Sequence, residues 1–185
     1  VATQRPTQNG KRIGVVLYRI CVCRSSAHLP FLGKIGSVST TTPEDLVGIL
    51  TDVSASWLTP MGRSRVPLPL FLWLTIEGVG TRKLHTPGSG GVAILNEPVP
   101  SSYDMAEYGR VVVESGSPQV LGARVGQRIE AVGRLWQEPP GEEAGFVLHF
   151  GDGSIAIANL ADDLVVGAWP NDAWAEQGVS LLGRP

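Results

Sequence analysis

"TTTPEDLVGILTDVS", Thr40 to Ser54, is the stretch whose reading decides the fold. Its start looks helical. Thr42 suits an N-cap, Pro43 suits the first helical position, and Glu44 and Asp45 face the positive end of a helix dipole. Leu46, Ile49, Leu50 and Val53 then recur at i, i+3, i+4 and i+7, which is one apolar face at helical period. The spacing predicts a helix that ends before the proline-rich "LTPMGRSRVPLPL" (58–70).

Downstream the period changes from helical to strand-like. "LFLWLTI" (70–76) is rich in aromatic and β-favouring residues, "EGVG" turns it, and "TRKLHT" returns. "PGSGG" turns the chain again into "VAIL" (92–95), and "YGRVVVE" (108–114) adds a strand. Two consecutive hairpins argue for an antiparallel meander. A similar order follows. Ser117 and Pro118 open a second helical start, "RIEAVGRLW" and "FVLHF" read as strands, "GDG" as a turn and "SIAIAN" as the return.

At an offset of 75, Thr42-Pro43 meets Ser117-Pro118, Leu46 meets Leu121, Phe71 meets Phe146, and Glu77-Gly78 meets Asp152-Gly153. The expectation is an α+β fold, mostly antiparallel β. It consists of two similar helix-plus-meander halves, 40–114 and 115–185, the second closing with a short helix capped by Asn171 or Asp172 and ended by Gly178.

Charge divides the chain differently. Residues 1–39 hold six of the 15 bases and none of the 17 acids, which leaves a net of −8 on the remainder. This extension fits a secretory signal only in part, because Arg19 interrupts its apolar core, and fits an Arg- and Ser-rich transit peptide only in part. We read it as a mobile extension or as sequence outside the native coding region, with Val38 opening a natural start. Cys21 and Cys23 are too few and too close for a structural zinc site, even with His28 nearby. No apolar run approaches the ~20 residues of a membrane span, and a cytoplasmic location is expected.

The chemistry-bearing residues are sparse. Asp152 reads as a turn residue in G-D-G, and Asp162 and Asp163 as loop groups lacking a calcium-loop pattern. "GVGTRK" lacks the GK[ST] of a phosphate loop, and "PGSGG" is no nucleophile elbow. No metal or cofactor is expected. Nucleic acid is disfavoured, since the basic cluster "GRSR" (62–65) stands alone in an acidic domain.

The function expected is a non-enzymatic bacterial protein-interaction domain. One concrete form is an immunity-type protein that binds a basic partner, with negative charge speeding encounter. Its contacts would be Asp104, Glu107, Glu138, Glu142, Glu143, Asp162 and Asp163, with Trp169 and Trp174 as aromatic contacts or as residues folded back over a sheet edge. The alternative is a small-ligand-binding protein or hydrolase-like enzyme with Tyr103, His85 and His149 at a site between the halves. A third reading is self-association through exposed sheet edges.

Overall fold

The stretch that reads as a helix is a strand. In a computed structural model, which describes residues 41–88, 90–138 and 141–181, only Pro43–Leu46 of that stretch is helical, as a single 3-10 turn. Strand β1 follows at Gly48–Thr59. The extension 1–39, with its cysteines, lies outside the described residues. The helix-start signals are genuine: Thr42 is the N-cap, and its backbone N–H donates to Asp45 Oδ2 at 2.8 Å. The continuation fails because Val47 is already extended.

The helical spacing within β1 has a β explanation. Leu50 pairs with Ile76 and Asp52 with Thr75, so Thr51 is an extra residue on this strand, a bulge. The bulge returns Val53 to the face of Leu50, and Ala55 and Trp57 follow it at period two. A bulged strand thereby places residues i and i+3 on one face, as a helix would.

Two antiparallel sheets result. The first contains β1, β2 (Phe71–Ile76), β3 (Gly80–His85), β4 (Ala93–Leu95), β5 (Tyr103–Asp104) and β6 (Arg110–Ser115) in the order β4-β3-β2-β1-β6-β5, with β7 (Arg128–Ile129) pairing to the start of β1. A short helix, α1 (Gln119–Gly122), precedes β7. The chain changes sheet at Glu130. The second sheet contains β8 (Ala131–Gln137), β9 (Glu142–Phe150), β10 (Gly153–Leu160), β11 (Asp163–Trp169) and β12 (Val179–Leu181) in the order β11-β10-β9-β8-β12. Helix α2 (Asp172–Glu176) lies between β11 and β12. The strand-rich, antiparallel expectation holds. The long first helix does not exist, and each sheet instead contains one four-stranded meander.

The main core lies between the sheets. Leu50, Val53, Ala55 and Trp57 of β1, with Leu72, Leu74 and Ile76 of β2, pack with Phe146, Leu148 and Phe150 of β9 and Ile155 and Ile157 of β10. Leu46 of the 3-10 turn and Leu121 of α1 are fully buried in the same core. Each such side chain contributes about 1.5–3 kcal/mol. The alternation read in "FVLHF" is thus correct, and Val147 faces the opposite way, into a second, smaller core.

That smaller core covers the outer face of the second sheet. Trp174 of α2, 4% exposed, packs with Leu135, Val147, Ala156 and Ala158. Asn171 caps α2 by accepting from the Trp174 N–H at 3.3 Å, and the Trp174 indole donates to Ala168 O at 2.8 Å.

The outer face of the first sheet is crossed by a strap. The chain leaves β4 at one edge and re-enters as β5 at the other, through Asn96–Ser102. Lys83 pairs with Trp73 in register and so shares its face, and Lys83 Nζ holds Glu97 at 2.8 Å. The strap therefore passes over this face, where Trp73 and Ser56 are 2% and 1% exposed.

The β10–β11 hairpin closes through Ala161 and Asp162, with φ of 54° and 70°. Two positive φ values mark the mirror-image turn that favours Asn-Gly, and alanine gains nothing from it. Ala161→Asn is expected to raise stability by about 0.5 kcal/mol, since Asn tolerates this conformation better. The measurement is a higher urea midpoint at unchanged slope.

Candidate functional site

Strand directions gather five connections at one end of both sheets, hereafter the loop end. They are residues 60–70 after β1, 86–92 after β3, 105–109 after β5, 138–141 after β8 and 161–162 after β10. The sheets meet there directly: Thr86 Oγ1 donates to Asp162 O at 2.9 Å. All seven carboxylates expected as partner contacts lie at this end, in two groups.

The first group is a ridge on the second sheet. Gly145 pairs with Ala158, so the β8–β9 and β10–β11 turns lie side by side. Glu138, Glu142, Asp162 and Asp163 are exposed there, and Glu143 is half-buried. Only Glu143 has a cationic partner, Arg134 Nη1 at 2.8 Å, among the described residues. Arg134 also grips Glu44 of the 3-10 turn, with Nε 3.1 Å from Oε1 and Nη2 3.2 Å from Oε2. One guanidinium thereby ties the approach to the first sheet onto two strands of the second. These two carboxylates hold the Arg134 pKa above its ordinary value.

The second group, Asp104 and Glu107, lies about four strand spacings away, ~20 Å. It flanks an open groove of about 650 Å³ lined by Thr59–Ser64 and by Asp104, Ala106, Gly109 and Arg110. Met105 N–H donates to Gly109 O at 2.7 Å, and Asp104 Oδ1 accepts from Ala106 N–H at 2.7 Å, which shapes the β5–β6 hairpin tip. Around that tip and along the strap that leads to it are five of the six exposed large apolar side chains among the described residues: Met61, Val99, Tyr103, Met105 and Tyr108. Met61 and Tyr108 are 67% and 66% exposed.

The remaining expected residues are dispersed. Trp174 is buried on the outer face of the second sheet, and Trp169 stacks near it at 6.2 Å between ring centroids. Both sit away from the loop end. His85 lies at the loop end of β3, edge-on to Phe71 at 6.3 Å. His149 lies at the opposite end, paired with Ala131 and sharing a 2.8 Å hydrogen bond with Ser154 Oγ. Tyr103 is on the far edge strand. The three do not converge. Asp152 is more than a turn residue, because it binds Arg124 and, at 3.5 Å, Gln127 Nε2, pinning the α1–β7 connection to the β9–β10 turn.

The reading of the sequence missed Met61, Met105, Tyr108, Arg63 and Arg110. The usable signal was large apolar side chains set among Gly and Pro in segments already assigned as loops. No protein-family model matches the chain, and it matches none of the curated proteins or solved structures compared with it.

Two outcomes follow from this geometry. Gly109 has φ 108°, and a Cβ there would collide with Thr59 O and the Pro60 backbone. Gly109→Ala is expected to cost more than about 2 kcal/mol, read by urea denaturation. The Glu44 carboxyl is held below its ordinary 4.5, first by its own backbone N–H, then by the Thr42 side chain, and further by Arg134. Its stabilisation is therefore present above 4.5 and lost as pH falls through the lowered value. The group is solvent-exposed, so the loss is about 0.5 kcal/mol or less. Glu44→Gln should remove this part of the acid-side decline in stability, measured between pH 6 and pH 3.

Proposed function

We propose that this chain is a non-enzymatic protein-interaction domain that receives a basic partner on the carboxylate ridge of its second sheet. The observation that carries the reading is the placement of Glu138, Glu142, Glu143, Asp162 and Asp163 on two adjacent turns at one end of one sheet. Such a ridge attracts a cationic surface before contact and sets its orientation. Glu142, Glu143 and Asp163 stand on strands β9 and β11, so little conformational freedom is lost on binding. An immunity-type role against a basic toxin is one form of this function. The separation of His85, His149 and Tyr103 gives no support to a catalytic or small-ligand site between the halves.

The two four-stranded meanders, each preceded by a single helical turn with a fully buried leucine (Leu46 and Leu121), support reading the halves as copies of one unit.

The test compares two charge-matched variants of the full chain as bait in low-salt lysate of its native host. Glu142→Gln/Asp162→Asn alters the ridge, and Glu77→Gln/Glu130→Gln alters the opposite end. The expected result is capture of a basic protein by wild type and by the opposite-end variant, weakened about tenfold for the ridge variant and by added salt. Equal capture by both variants, or capture of acidic proteins alone, would overturn the assignment.

A further inference from the structure

Independently of the ridge, we infer that the groove at the β5–β6 hairpin tip is a twofold interface between two copies of this chain. Three observations point to a second copy as the occupant.

The first is the concentration of apolar surface. Met61, Met105 and Tyr108 project around one hairpin tip at 37–67% exposure. Side chains of this size leave roughly 300 Å² of apolar surface there, over a third of the ~800 Å² that each partner buries in a standard interface. Tyr, Met and Arg are the residue types enriched at such contacts.

The second is charge. Arg63, Arg110, Asp104 and Glu107 form no ion pair among the described residues. Asp104 and Arg110 are direct cross-strand partners, yet the Asp104 carboxylate is turned to the Ala106 N–H and leaves the guanidinium free. The patch is thus neutral overall, with two basic and two acidic groups set among one another. A partner rich in one sign would satisfy half of these groups and repel the other half. A copy of the same surface brings both signs in equal number, so a twofold axis can set the bases of each copy against the acids of the other. Isologous contacts require this self-complementarity.

The third is position. Residues 58–70 and the β5–β6 hairpin meet at Gly109, which lets the Thr59–Pro60 backbone approach closely. Both walls of the groove are therefore fixed against each other before any partner arrives. Association at this fixed surface therefore costs little ordering.

The experiment is sedimentation equilibrium of the full chain across the micromolar range. Wild type is expected to be a reversible dimer. Arg110→Glu and Glu107→Arg, each alone, are expected to weaken it about tenfold or more by placing like charges across the axis. Mixing these two variants should restore association as a heterodimer, because one patch has become acidic and the other basic. Met61→Glu, at a 67% exposed position where folding is preserved, should also yield monomer. The ridge variant Glu142→Gln/Asp162→Asn should dimerise as wild type does, so failure of the ridge assignment and failure of this one are separable. A wild-type chain that stays monomeric overturns the inference. So does a dimer indifferent to Met61→Glu and Arg110→Glu, which would place the contact at a sheet edge instead.

Discussion

The bulge at Thr51 is the constraint on which the rest of the molecule depends. β1 is the one strand that pairs with β2, β6 and β7, and its inward side chains form the centre of the shared core. Because the side-chain period of a strand is two, Leu50 and Val53 would otherwise face opposite ways. The extra residue allows the first part of β1 to pair with β7 and the later part with β6 while both parts address one core.

The same bulge explains what could be read from the sequence and what could not. The β2–β3 and β9–β10 hairpins were legible because turn glycines flank apolar runs of strand length, and Phe146, Leu148 and Phe150 alternate as a half-buried strand should. β1 was not legible, since a bulge produces the i, i+3 signature of a helix and Thr42-Pro43 supplies a true helix start that lasts one turn. β11 was hidden for another reason. Its turn is Ala161-Asp162, with positive φ at two residues and no glycine to mark a two-residue hairpin, so the aspartates read as a longer loop. Among the candidate contacts, the acidic residues were legible as charges. Their arrangement into a ridge and a separate, mixed-charge groove follows from strand register, which composition does not carry. The exposed Met61 and Tyr108 were legible only as large apolar residues in loop segments; their exposure follows from the fold.

The molecule divides its surface chemistry by sheet. The second sheet is covered on its outer face by α2 and Trp174, and it presents carboxylates at its loop end. The first sheet carries β6 and β5 on one side of β1, where Arg65, in bidentate contact with Glu114, stacks at 4.0 Å over Trp57 and where the groove lies. One end of one sandwich can therefore offer an attractive field on one side and an apolar, charge-balanced contact on the other, without the two competing for the same residues.

The strap has almost no slack. From Leu95 to Tyr103 there are eight residue steps, about 26 Å when fully extended at ~3.3 Å each. The path from β4 to β5 crosses five strand spacings, about 24 Å at ~4.8 Å each. Pro98 and Pro100 stiffen the tether further. A taut line between opposite margins makes their mechanics common property: neither margin can peel away without pulling on the other, and a load applied at the hairpin is felt at β4.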